Sequence, residues 1–131
     1  MPELPDLPPI ADQPLSVVLL AHNDEPHLEA VLDAWVAQFE GPGRPYELLF
    51  VDDGSSDGTA AQVEARCARL PALRYIRLPQ PSGFGAALRA GLAQAQFPLV
   101  FYTTADRQYQ PSDLPAFLAE IDKVHFVSGF R

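Results

Sequence analysis

Three short polar clusters, His22–Glu25, Asp52–Asp57 and Thr103–Gln110, each follow directly on an apolar run. The densest is VDDGSSDGT, Val51–Thr59. Asp52 and Asp53 set two like charges side by side, which costs energy unless a ligand or hydrogen-bond donors offset it. Ser55, Ser56 and Asp57 suit the capping of a following helix, and Gly54 and Gly58 permit positive φ. In TTADRQYQP, Thr103–Pro111, Asp106 and Gln108 lie two residues apart, so in extended chain both side chains point to one side. A carboxylate and an amide oxygen are hard ligands, fit for a divalent cation that also holds a diphosphate. The plainer reading of that segment is a surface turn with Pro111 opening a helix. PSGFGAALRAG, Pro81–Gly91, starts a helix with glycines. Its backbone N–H groups could receive phosphate, or the glycines could serve a turn or close packing. No Gly-Lys-Ser/Thr follows, so this is not a Walker loop, and the full dinucleotide fingerprint is missing. His22 reads as a ligand-facing aromatic or an exposed turn residue, and Asp24 or Glu25 suits the positive end of a helix opened by Pro26. Cys67 and Trp35 fall on apolar helical stripes and read as packing residues.

The elements that must position these clusters alternate along the chain. Ser16–Ala21 is a continuous apolar run, the pattern of a strand buried on both faces. Leu28, Val31, Leu32, Trp35, Val36 and Phe39 then recur at helical spacing. Tyr46–Val51 is a second strand, and Ala60, Val63, Cys67 and Leu70 form a second stripe. Leu73–Leu78 is a third, more polar strand suited to a sheet edge. Gly83–Ala95 is a helix with Leu88, Leu92 and Ala95 inward. Leu99–Thr103 is a fourth strand, Asp113–Ile121 a short helix, and His125–Phe130 a fifth strand. Strands alternating with helices imply a three-layer α/β/α sandwich with a mostly parallel sheet and right-handed crossovers. Ligands of such sheets bind beyond the C-terminal strand ends, so all three polar clusters should meet on one rim.

Composition bounds the rest. The chain has 131 residues, 9 Lys+Arg against 17 Asp+Glu, and no basic residue before Arg44. That balance excludes nucleic acid as a partner, since phosphate neutralisation needs clustered cations. A single cysteine excludes a disulfide-stapled scaffold. No apolar run reaches the ~20 residues that span a bilayer, and no basic, apolar leader is present, so the sequence reads as soluble and cytoplasmic. Residues 1–14, rich in proline and acids, read as a mobile arm ahead of a folded domain over residues 15–131.

Taken in order, a strand ending in AHNDE, then VDDGSSDGT, SGFGAALRAG and DRQYQPSDLP resemble the GT-A glycosyltransferases of family 2. The closer likeness is to the polyprenyl-phosphate branch that includes dolichol-phosphate mannosyl and glucosyl synthases. The resemblance covers Ser16–Arg131. It implies a Rossmann-like nucleotide-sugar-binding fold and inverting transfer of a sugar from a UDP- or GDP-linked donor to an acceptor such as a polyprenyl phosphate. It implies that Leu20, Ala21, His22 and Asp24 line the donor pocket, that Asp53 contacts the base with Asp52 beside it, and that Gly83 and Gly85 approach the donor. Thr104, Ala105 and Asp106 would complete the donor site, with Asp106 and Gln108 holding Mg²⁺ or Mn²⁺. No catalytic side chain is assigned by it.

The chain departs from the family pattern in three respects. Leu20, His22 and Asp24 replace a usual Pro, Tyr and Glu, which alters the pocket. Thr104 replaces the first aspartate of an Asp-x-Asp-x-Gln motif, so a neutral hydroxyl stands where metal and diphosphate charges meet, and metal binding should weaken. The resemblance also reaches the donor half only, as if the acceptor half of the domain were truncated; a longer protein could sit at the cytoplasmic membrane face. The alternative is a non-catalytic nucleotide-sugar-binding module or an inactive fragment. A receiver-like signalling domain fits poorly, because the one lysine, Lys123, precedes the last expected strand.

Overall fold

The computed structural model describes residues 13–39, 44–105 and 111–121. Four strands, β1 (Leu15–Ala21), β2 (Tyr46–Asp52), β3 (Leu73–Arg77) and β4 (Leu99–Thr104), form one sheet in the order β3-β2-β1-β4. Every pairing is parallel, with Leu15 opposite both Tyr46 and Leu99. The chain adds strands in one direction from β1 to β3, then crosses to the far side of β1 for β4. That reversal opens a crevice at the C-terminal ends of β1 and β4, the usual ligand position of an open parallel sheet.

Two apolar layers enclose the sheet, as its hydrophobic runs require. All seven residues of β1 are buried. Helices α1 (Leu28–Phe39), α2 (Thr59–Cys67) and α4 (Leu114–Ile121) cover one face through Leu28, Leu32, Trp35, Val63 and Leu114. Helix α3 (Phe84–Gln94) covers the other face, over Val18, Leu20, Leu49, Val51 and Ile76. The three-layer α/β/α architecture expected from the alternation is therefore the observed one. Pro26 lies in a short 3-10 turn, Glu25–His27, that leads into α1. Pro111 does the same for α4. The more polar third strand is at an edge of this sheet, as its composition suggested. The expected fifth strand and all but Gln13 and Pro14 of the expected arm lie outside the described residues. No helix among the described residues is long and apolar enough to cross a membrane.

Leu88 and Ala95 pack toward the core as expected, but the inward face of α3 differs from the expected one at Leu92. Leu92 is 45% exposed, whereas Ala87 and Gly91 are buried. A Cβ on Gly91 would come within 2.5 Å of Val18 Cγ1 and 3.1 Å of Val51 Cγ2. The helix lies so close to the sheet that only small residues fit directly between them; Leu88 is partly buried at the side, and Phe84 and Leu92 are turned outward.

At the pole opposite the crevice a buried polar cluster fixes the other end of α3. The Glu47 carboxylate accepts hydrogen bonds from Ser16 Oγ at 2.6 Å, the Gln96 N–H at 2.7 Å and Arg74 Nη1 at 3.0 Å. Arg74 also donates to the Gln94 carbonyl, and Ser16 Oγ accepts the Phe97 N–H. Burial pushes the Glu47 carboxyl upward, but the bonds from Ser16, Gln96 and Arg74 outweigh it and hold its pKa below the ordinary 4.5. The sign follows: this carboxylate stabilises the fold above the unfolded pKa, and the contribution is lost as pH falls through the folded value.

Two outcomes are expected in urea denaturation. Gly91→Val should cost about 1–3 kcal/mol by overpacking, while Gly85→Ala, where a Cβ meets nothing within 4 Å, should cost nothing. Glu47→Gln should lose about 2 kcal/mol at pH 7, the scale of a charged hydrogen bond, and should show a shallower loss of stability below pH 4.5 than the unsubstituted chain.

Candidate functional site

The loops after β1 and β2 and the turn before α3 meet at the C-terminal rim, joined by hydrogen bonds rather than apolar packing. The end of β1 is tied to its neighbours by backbone: the Ala21 carbonyl accepts the Asp53 N–H, and the Leu20 carbonyl accepts the Ala105 N–H, both at 2.8 Å. Beyond Ala21 the chain turns sharply at Asn23, whose φ of 54° lies in the left-handed region that asparagine tolerates. The turned residues lace onto the β2 loop. Asn23 N–H donates to Ser55 Oγ at 2.9 Å, and Asn23 Oδ1 accepts the Ser56 N–H at 2.8 Å.

Five carboxylates crowd this rim, and each accepts a backbone N–H. Asp24 accepts from His22 at 3.0 Å, Glu25 from Gly58 at 2.7 Å and Asp52 from Ser55 at 2.8 Å. Asp57 accepts from Thr59 at 3.0 Å and also takes the Thr59 hydroxyl. Asp53 grips two donors, Ser82 N–H at 2.7 Å on one oxygen and Gly83 N–H at 3.0 Å on the other. Such charge-assisted bonds answer the cost of adjacent like charges. Slight desolvation raises the Asp57 carboxyl, but the bonds from Thr59 and Glu25 prevail and lower its pKa. Glu25 and Asp57 serve the start of α2, where helix dipole and unpaired N–H groups favour negative charge. Of the three residues expected to cap α2, only Asp57 takes an N–H at its start, that of Thr59, while the Ser55 and Ser56 hydroxyls are tied to Asn23; no side chain caps the 3-10 turn at Pro26.

His22 is exposed, with Nδ1 2.7 Å from the Asp53 carbonyl oxygen. A carbonyl only accepts, so Nδ1 carries the hydrogen. Because Asn23 Oδ1 faces the Ser56 N–H, its amide nitrogen is the atom 3.4 Å from His22 Nε2. The ring is held by both nitrogens at the mouth of the crevice.

Several sequence expectations need correcting here. The side chains of Leu20 and Ala21 are buried in the two opposite cores and contribute only backbone to the rim. Ala105 is fully buried on the α1 face. Asp52 has no accessible surface; besides Ser55 N–H it accepts the Tyr75 hydroxyl, so its carboxylate faces inward and braces the loop. Burial first, and then the hydrogen bond to Asp52 and its charge, raise the Tyr75 pKa and keep the phenol a donor. At the start of α3, read as a place for phosphate or as a turn, the Ser82 and Gly83 N–H groups are held by Asp53. Gly83 has φ 97°, and neither it nor Gly85 has an atom within 4 Å of a Cβ position, so both border open space. His22, Asp24, Asp53, Gly83, Gly85 and Thr104 keep some exposure at the rim. Asp106 and Gln108 lie outside the described residues, among which no group of three or more His, Cys, Asp or Glu could hold a metal ion.

Sequence reasoning missed Tyr75 and Ser82. The register offered a signal for Tyr75: Asp52 pairs with Arg77, and Tyr75 is two residues back on the same side of β3. Gly54, with φ 65°, is also more constrained than its turn suggests, because a Cβ there would overlap the backbone of Gln80 and Pro81.

The glycosyl transferase family 2 profile matches residues 16–131. Among solved structures, S. aureus TarS residues 1–349 in complex with UDP-GlcNAc is 28% identical, with TM-score 0.68 over 86% of this chain and 32% of that one. The mannosyltransferase PcManGT from Pyrobaculum calidifontis, in complex with GDP-Man and Mn²⁺, is 25% identical, with TM-score 0.71 over 90% of this chain and 36% of that one. Glucosyl-3-phosphoglycerate synthase from Mycobacterium tuberculosis, with Mn²⁺, UDP and glucosyl-3-phosphoglycerate, is 25% identical, with TM-score 0.66 over 94% and 47%. The chain therefore spans less than half the length of these proteins.

The brace on Asp52 has a measurable weight. Tyr75→Phe should destabilise the fold by about 1–3 kcal/mol, because it leaves a buried carboxylate short of a donor. In amide hydrogen exchange the Ser55 N–H should lose protection in that variant, while amides of α1 keep theirs.

Proposed function

The chain belongs to glycosyl transferase family 2, and on that premise we propose that its rim binds the nucleoside diphosphate part of a sugar donor. The observation that carries this reading is the convergence of His22, Asp53 and the Gly83–Gly85 turn beyond the C-terminal ends of β1 and β2. Each Asp53 oxygen accepts one backbone N–H and keeps capacity for a second, which suits it to take an N–H from the base of uridine or guanosine. The tethered His22 ring presents an aromatic edge beside it. The open space at Gly83 and Gly85 lets the donor approach the start of α3. Similar proteins in complex with UDP, UDP-GlcNAc and GDP-Man support a nucleotide-sugar ligand.

Asp106 and Gln108 would hold a divalent cation, in keeping with the Mn²⁺ in two of the similar structures. When bound, the cation supplies positive charge to the departing diphosphate. Thr104 removes one carboxylate from that position and so weakens metal affinity. An inverting transfer to a polyprenyl phosphate is the reading for a complete enzyme, because a phosphate acceptor is already anionic and needs no base to activate it.

Calorimetric titration with UDP-glucose and GDP-mannose, in Mn²⁺ and then in EDTA, tests the reading. Binding of one nucleotide class that requires metal, disappears in Asp106→Ala and tightens in Thr104→Asp is the expected result. An absence of binding to both donors at millimolar concentration, with Thr104→Asp no better, would overturn it.

A further inference from the structure

Asp53 meets the turn before α3 with both oxygens at once. Oδ1 accepts the Ser82 N–H at 2.7 Å, and Oδ2 accepts the Gly83 N–H at 3.0 Å. An ionised carboxylate has about four lone-pair places. Two lie on its paired face, where both oxygens point the same way, and two diverge outward. Nitrogens of consecutive residues are within about 4 Å of each other by covalent geometry. Two such donors, one on each oxygen, therefore fill the paired face, as the two prongs of an arginine do. What Asp53 keeps for a ligand is one outward place on each oxygen, and these two places point apart.

Both sides of this clamp are fixed from behind. Gln80 and Pro81 pack so tightly on Gly54 that a Cβ there would overlap their backbone. Ser82 Oγ closes the turn by donating to the Gln80 carbonyl at 2.9 Å. Asp53 is pinned through its own backbone, its N–H on the Ala21 carbonyl at 2.8 Å and its carbonyl beneath His22 Nδ1 at 2.7 Å. A ligand therefore meets Asp53 with its paired face already taken.

Uracil and guanine ask different things of a carboxylate. Guanine offers two parallel donors, N1–H and one hydrogen of the 2-amino group, and a fork of that spacing needs the paired face. Uracil offers the single N3–H between two carbonyls, and one outward place is enough for it. Against the clamped Asp53, guanine would bury a donor without a partner, a loss that polar sites turn into discrimination.

We propose that the Ser82–Gly83 clamp on Asp53 makes the rim selective for uridine over guanosine, with uracil N3–H on an outward place of one Asp53 oxygen. The selectivity rests on the rim being the nucleotide site and names the base that site takes. Ser82 and Gly83 act through Asp53, as positioning residues rather than ligand contacts.

The test is NMR titration of the full chain with UDP, GDP, inosine diphosphate and 3-methyluridine diphosphate, each with Mg²⁺, read at the amides of residues 22–25 and 52–58. UDP should bind about 10-fold or more tighter than GDP, the scale of one charged hydrogen bond. Inosine diphosphate, which lacks the 2-amino group, should bind no weaker than GDP. Methylation at N3 should weaken UDP about 10-fold. Ser82→Pro removes one clamp donor and should narrow the UDP-to-GDP ratio, whereas Ser82→Ala keeps the N–H and should preserve it. A merely structural role would weaken both nucleotides together. If Ser82→Pro does not fold, the four nucleotides on the unsubstituted chain still decide. GDP as tight as UDP, inosine diphosphate weaker than GDP, or an unchanged ratio in folded Ser82→Pro would overturn the proposal and leave the nucleotide site standing. Rim amides silent to all four would overturn the nucleotide site itself, and the selectivity with it.

Discussion

The structure depends on carboxylates that accept backbone N–H groups. Helix α3 is held at both ends in this way: Asp53 takes the Ser82 and Gly83 N–H groups ahead of it, and Glu47 takes the Gln96 N–H behind it. Between those clamps, Gly91 lets the helix settle onto Val18 and Val51. The rim repeats the device, with Glu25 and Asp57 on the start of α2 and Asp52 on the turn between them. Hydrogen bonds to charged groups are among the stronger ones, and their geometry is directional. They order loops that carry too little apolar surface to order themselves.

This arrangement also determines what the rim can offer a ligand. Asp52 has no free surface and serves the loop, whereas Asp53 is half-buried and has acceptor capacity to spare. The two adjacent aspartates therefore differ: Asp52 is spent on supporting the loop, and Asp53 keeps acceptor capacity for the recognition proposed for it. A parallel strand explains the division, because successive side chains point to opposite sides. Asp52 ends β2 facing the α1 side, where Tyr75 waits, and Asp53 follows on the side of α3. Asp53 is held from two directions, its carboxylate by the Ser82 and Gly83 N–H groups of the α3 turn and its backbone carbonyl by His22 Nδ1.

Much of the fold was legible because buried parallel strands and amphipathic helices leave plain apolar patterns. The four strands and the sheet edge at β3 followed from runs such as SVVLLA and from the polarity of LRYIR. The inward face of α3 followed for Leu88 and Ala95 but not for Leu92, because a stripe reading assigns the largest residues to the core. Here the separation of helix and sheet was set by Gly91, and Leu92 was displaced outward. At the site, residue types marked the His22–Glu25 and Asp52–Asp57 clusters that meet on the rim, but not which atoms were already engaged. Leu20 and Ala21 sit where β1 is still covered on both faces, so position in the motif overstated their access. The Tyr75 brace needed a register that only strand pairing reveals.

The central claim is that the rim formed by the β1, β2 and α3 loops is the nucleotide site. Backbone chemical-shift mapping with UDP-glucose and with GDP-mannose, each with Mg²⁺, measures it most directly. The account predicts that one of the two moves the amides of residues 22–25, 52–58, 82–85 and 103–110 together and leaves the Glu47 pole unchanged. Shifts confined to the outer face of α3 or to the Glu47 pole, with the rim silent, would contradict it.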